Sequence, residues 1–158
     1  MFYDLGLEYD PAARAADLAL TTDGDLAVDR TAITPIMLSV GLDRRAAPDD
    51  ELPVGRTKFL KPASFSERRG GPTDALDPAG ELAGFKGWLL DRAKETETTR
   101  LLFDGWLQEG LAWAERDTGE AADIEVHWLR QQTLSYRVRI ADDAVTLSLP
   151  LSPQGGFA

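Results

Sequence analysis

The stretch IEVHWLRQQTLSYRVRIADDAVTLSL, residues 124–149, decides the fold. Ile124, Val126 and Trp128 alternate with Glu125, His127 and Leu129. After Gln131-Gln132-Thr133, the residues Leu134, Tyr136, Val138 and Ile140 alternate with Ser135, Arg137 and Arg139. After Asp142-Asp143, Val145, Leu147 and Leu149 alternate with Thr146 and Ser148. A period of two places each apolar set on one side of a strand, so the spacing predicts a three-stranded antiparallel meander with one side covered.

The cover comes from the residues just upstream. Residues 85–117 read as helical in two pieces, Phe85 to Lys94 and a longer helix opened by Glu95 or Thr96. In the longer piece Leu102, Trp106, Gly110 and Trp113 form one row, and Phe103, Leu107, Leu111 and Ala114 the next. Spacings of three and four put both rows on one wide face, with Glu97, Arg100, Asp104, Gln108 and Glu115 mostly opposite. Thr118-Gly119 stops the helix.

Further out, residues 17–29 predict a hairpin around the three-residue loop Thr22-Asp23-Gly24. That register pairs Leu20 with Leu26 and Leu18 with Val28, gathers all four on one face, and leaves Gly24 left-handed. A short helix follows from Thr31 to Leu42, capped by Asp29 or Thr31, with Pro35 in its first turn and Ile33, Ile36, Met37 and Val40 as its stripe. Residues 43–80 hold neither period and predict a long irregular loop, of the kind that often meets partners. Residues 150–158 predict a loose tail. The class is α+β, in a single domain over residues 1–158: an N-terminal hairpin and short helix, then a two-part helix packed on the C-terminal meander.

Composition narrows the function. A 43% hydrophobic fraction and four tryptophans suit a globular core. With no cysteine, disulfide, thiolate-metal and cysteine-nucleophile chemistry are excluded. A formal charge of −10 repels phosphate, so nucleic acid is not an expected partner, and no membrane partner is expected either. The N-terminus has no basic or apolar leader pattern, and no run of about 18 apolar residues exists to span a bilayer, so synthesis in the cytoplasm is expected. Charge is unevenly placed. Between residues 53 and 70 lie Arg56, Lys58, Lys61, Arg68 and Arg69 against the single acid Glu67. Such a stretch is either a solvated loop or one that docks on an acidic neighbour.

A search for reaction chemistry returns structural explanations. His127 is the only histidine, lies mid-strand, and has no nucleophile elbow or second metal-ligand motif to serve. Gly70-Gly71 and Gly80 precede no Lys-Ser or Lys-Thr, so no phosphate loop forms. The acid groups Asp49-Asp50-Glu51, Glu95 with Glu97, and Asp142-Asp143 fall at turns or a helix start, where a carboxylate stays ionised. Trp88, Trp106, Trp113 and Trp128 all fall on apolar faces and read as core. No catalytic residue, cofactor or metal ligand is expected.

Several blocks then recur in a familiar order. Gly24-Asp25-Leu26 precedes a helix running into Asp43-Arg44-Arg45-Ala46, followed by Asp49-Asp50-Glu51-Leu52-Pro53. Next come Glu67-Arg68-Arg69-Gly70, Trp88-Leu89-Leu90-Asp91-Arg92-Ala93-Lys94-Glu95-Thr96 and Glu109-Gly110-Leu111-Ala112-Trp113. In this order, over about residues 16–140, the chain resembles the Mu-like phage baseplate protein family, the product of Mu gene forty-six and its prophage relatives. It departs where the family often carries two tryptophans after Arg-Arg-Gly; here Gly71-Pro72-Thr73-Asp74 follows Gly70.

The resemblance implies a role like that of gene-twenty-five-type wedge proteins, which join other wedge subunits and the tail hub and start the contractile sheath. It implies a place in the virion baseplate. On that expectation the partner surfaces are Arg44, Arg45, Arg56, Lys58, Lys61, Arg68 and Arg69 of the loop. They also include Arg137 and Arg139 of the sheet and the last strand with Val145, Leu147 and Leu149, a candidate edge for strand addition by sheath protein. The alternatives are a lysozyme-like cell-wall glycosidase of a phage tail and a small acidic binding adaptor.

Overall fold

The computed structural model describes residues 4–10, 15–53, 65–71, 74 and 82–151. The C-terminal sheet is the expected meander: β5 (Asp123–Arg130), β6 (Thr133–Ile140) and β7 (Asp143–Pro150) pair antiparallel in sequence order. The two-residue loops between them contain left-handed Gln132 and Ala141 in place of the usual Gly or Asn. Leu134, Tyr136, Val138 and Ile140 on the central strand are all buried. Burial alternates along both outer strands, so one side of the sheet is core and the other is open.

The cover is helical, as expected. α2 (Glu97–Gly110) lies along β5 and is capped by Thr96, whose hydroxyl accepts the Thr99 N–H at 3.1 Å. A short break at Leu111-Ala112 leads into α3 (Trp113–Thr118), which closes at Gly119. Of the two apolar rows, Phe103, Leu107, Leu111 and Ala114 form the core. In the other row Trp106 and Trp113 are half-buried and Leu102 is exposed. The upstream piece is shorter than expected. It is a single 3-10 turn, Gly87–Leu90, because Asp91 leaves helical geometry at ψ 121° and Arg92 after it is left-handed.

α1 (Ile33–Gly41) crosses onto β7. Its buried residues are Thr34, Ile36 and Val40, while Ile33, counted in the predicted stripe, is exposed. Two carboxylates hold its N-terminus. Asp29 accepts the N–H and hydroxyl of both Thr31 and Thr34, and Asp143, from the β6–β7 turn, accepts the Ala32 N–H at 2.8 Å. Burial pushes the Asp29 carboxyl up, but the hydrogen bonds from Thr31 and Thr34 outweigh it and hold it at about 2, below the ordinary 3.8. Because the folded value is the lower one, this stabilisation is complete above about pH 4 and fades as pH falls towards 2. Asp29→Ala should therefore cost about 1–2 kcal/mol at neutral pH in urea titrations, and the cost should shrink through that acid window.

The N-terminal region corrects the predicted hairpin. Leu20 and Leu26 do pair, and Gly24 is left-handed at φ 83°. Leu18 and Val28 do not pair with each other. The first residues of the chain enter between the hairpin's legs: β1 (Asp4–Leu5) pairs with β4 (Val28–Asp29), and β2 (Leu7–Asp10) pairs with β3 (Ala15–Leu18). Leu5 thus takes Val28, and Leu7 takes Leu18. Gly6 stands at the fork, donating to Ala27 O and accepting from the Ala19 N–H, both at 2.8 Å.

Candidate functional site

The open edge of the meander is the first candidate surface. Leu151 N–H donates to Gln132 O at 2.8 Å, which sets the phase of the β6–β7 ladder. The pairs Leu134–Leu149, Tyr136–Leu147 and Val138–Val145 then exchange hydrogen bonds. The N–H and C=O groups of Ala144, Thr146 and Ser148 point away from β6. Pro150 falls in the same outward phase, so its missing N–H costs the ladder nothing. The side chains of Val145, Leu147 and Leu149 pack on the core, so what β7 offers a partner is its backbone.

The opposite edge is blunted. By the same phase the peptide groups of Ile124 and Val126 face outward on β5, and Arg100 of α2 donates to Val126 O at 3.2 Å. The helical period alone places Arg100 on the solvent side. Its length carries it back to the sheet, while its Nε and other terminal nitrogen grip Glu97. The two edges are therefore unequal. Among the described residues no backbone hydrogen bond crosses the outer side of either strand, and α2 packs on β5 as α1 packs on β7. The difference is that Arg100 occupies Val126 O, whereas no described side chain bonds the backbone of Ala144, Thr146 or Ser148.

On the open side of the sheet, Arg139 pairs with Asp123 at 2.5 Å, directly across the β5–β6 register, and Arg137 stands opposite Glu125. Arg139 is thus paired within its own sheet, while Arg137 shares a register position with an acid. Exposed His127 lies opposite Ser135 on the same side.

The loop arginines converge on one structure. The 3-10 turn Phe65–Arg68 lies against residues 43–48, with Ala46 N–H donating to Arg68 O at 2.9 Å. The Arg68 guanidinium donates to the carbonyls of Ala46, Ala47 and Pro48. Arg69 pairs with Asp43 at 2.6 Å, reaches Asp91 at 3.5 Å, and stacks 4.6 Å over the Trp88 ring. Arg45 donates to Arg69 O, and Arg44 reaches Glu109. Beneath them Trp88, Leu89 and Ala46 form a small second core. A cleft of about 220 Å³ opens beside Trp88, lined by Pro53, Ser66, Glu67, Arg69, Asp91 and Arg92. These four arginines hold the loop to the body. Arg56, Lys58 and Lys61 lie outside the described residues.

The acids singled out in the sequence have structural tasks. Asp50 accepts the Ala47 N–H and pairs with Lys86 at 3.0 Å. Glu95 accepts the Gln132 N–H, and Asp143 caps α1. Among the described residues no group of three or more His, Cys, Asp or Glu is placed to hold a metal ion, and no helix is long and apolar enough to cross a membrane.

Fold and surfaces together define an acidic α+β protein with one blunted sheet edge, one open edge and an arginine-clamped turn. The family described as Phage protein GP46 matches residues 32–146, and this chain belongs to it. The matched span runs from α1 through the start of β7, so it includes the clamp and most of the meander. No curated protein matches the chain. Membership supports a phage structural role.

Proposed function

We propose that this protein is a baseplate component of a contractile phage tail, a wedge or sheath-initiating subunit of the Mu-like type. It acts by subunit packing and by strand addition to the outer edge of β7, and catalysis plays no part. Its partners are other wedge subunits, the tail hub and the sheath protein, and its place is the virion. The observation that carries this reading is the open β7 edge on a chain of a phage protein family. A strand laid there gains main-chain hydrogen bonds from Ala144, Thr146 and Ser148. Arg100 favours this edge over β5 by occupying Val126 O.

The test removes one outward donor. Thr146→Pro deletes an N–H that no described neighbour uses, so it should cost only about 1–2 kcal/mol of stability. Leu147→Pro, one residue on, deletes a ladder bond to Tyr136 and should cost clearly more. In a phage complementation assay Thr146→Pro should lower the yield of sheathed tails at least about tenfold, one backbone hydrogen bond and its geometry being at stake. A wild-type yield from a folded Thr146→Pro protein would count against strand addition at this edge.

A further inference from the structure

The arm formed by β1–β4 is built inside out. Directly opposed residues in an antiparallel pair share a face, as do alternate residues along a strand. The pairs Leu5–Val28, Leu7–Leu18 and Leu20–Leu26 therefore place six large aliphatic residues on one side. The other side carries Gly6, Ala19 and Ala27, with the Ala19 and Ala27 Cβ atoms each 3.5 Å from where a Cβ on Gly6 would stand. The small residues are half-buried. Of the large ones, Leu7 is half-buried and the other five are between 39% and 63% exposed.

Single exposed leucines are ordinary, but a contiguous sheet of them marks a contact surface. So short an arm does not stabilise itself by strand pairing alone. Its charge says what kind of partner fits. Residues 4–29 carry seven acids, Asp4, Glu8, Asp10, Asp17, Asp23, Asp25 and Asp29, against the single base Arg14. The arm is one sheet thick, so acids on its far side act on the aliphatic face within a screening length of about 10 Å. Anionic lipid and nucleic acid are repelled. A second copy laid face to face would set one acidic arm against another.

We propose that the aliphatic face of the arm, Leu5, Leu18, Leu20, Leu26 and Val28, is a docking surface distinct from β7. It takes an apolar segment flanked by lysines or arginines from another polypeptide. This inference does not depend on the baseplate reading, since it rests on the pairing, exposure and charge of the arm alone.

Binding of a labelled peptide of alternating leucine and lysine to the full chain, followed by fluorescence anisotropy, tests it. A serine–lysine peptide, a leucine–glutamate peptide and anionic vesicles are the comparisons. The expected result is binding of the leucine–lysine peptide alone, weakened about tenfold or more by L20S/L26S, and weakened likewise by D23N/D25N or by high salt. The cross-strand variant L5S/V28S should give the same loss, and circular dichroism melts of each variant establish that the body stays folded. No binding of the leucine–lysine peptide overturns the proposal. So does equal binding by L20S/L26S, which would mean charge attraction only, or binding of the vesicles. Sedimentation velocity showing self-association that L20S/L26S abolishes would make the occupant a second copy, and would overturn it too.

Discussion

Replacing Gly84 by alanine should destabilise the protein by on the order of 4 kcal/mol, one of the two largest single-site losses expected in it. Gly84 has φ 81°, and a Cβ there would sit 2.2 Å from Leu42 O and 2.7 Å from its carbonyl carbon. Backbone cannot yield as a flexible side chain does. The position is crowded because three segments meet there. Phe85 N–H donates to Leu42 O and Arg44 N–H to Phe85 O, which ties the end of α1 to the 3-10 turn. From the third side Gly110 of α2 approaches so closely that a Cβ on it would stand 2.9 Å from Gly84 O. Gly24 supplies the control: its φ is 83°, yet nothing lies within 4 Å of its missing Cβ. Gly24→Ala should cost only about 1 kcal/mol, the conformational part alone. Thermal melts compare the two, and Gly84→Ala should lower the midpoint by roughly 10 °C for a chain of this size. Equal small losses at both sites would mean that the three segments do not crowd Gly84.

The second large loss is at Phe103. It is 0% exposed and stands between the segments that Gly84 joins and the sheet they cover. Its ring meets Phe85 edge-on at 5.5 Å and Tyr136 at 5.1 Å. Tyr136 itself is buried deeply enough that its phenol is pushed up to about 12. Phe103→Ala should cost about 3–5 kcal/mol in urea unfolding with the slope unchanged, and Phe103→Leu about 1.5 kcal/mol or less. Domains hold only about 5–15 kcal/mol in all. The alanine loss is therefore a large share of the total, whereas the leucine variant should keep the fold.

How much of this was legible beforehand differs by region, for physical reasons. The meander was legible because its sheet is covered on one side only, which writes a period of two into all three strands. Its loops lack Gly and Asn, so only the alternation marked them. On α2 the sequence offers two adjacent apolar rows, and both fit a wide face. Only the tilt of the helix along β5 decides that Phe103 and Leu107 lie inward and Leu102 outward. The N-terminal hairpin was half legible, since Thr22-Asp23-Gly24 specifies the turn but nothing local announces that residues 4–10 will separate its legs.

Of the candidate surface, the identity of β7 as an edge followed from strand order. The intramolecular contacts of the arginines were not legible, because a count of cations does not show what they touch. Register puts Arg139 opposite Asp123, and the fold of the loop puts Arg68 on three carbonyls and Arg69 on Trp88. Arg100 was missed for the same reason, a long side chain that leaves its helical face for the sheet. Each of these contacts spans many residues in the chain, so no local pattern carries it.

The most direct test of the strand-addition role is a map of the assembled tail at a resolution that traces backbone. The expected result is this chain in the baseplate, with a strand of a neighbouring subunit hydrogen-bonded to Ala144, Thr146 and Ser148 along the outer edge of β7. A baseplate in which that edge faces solvent, or a tail without this chain, would contradict it.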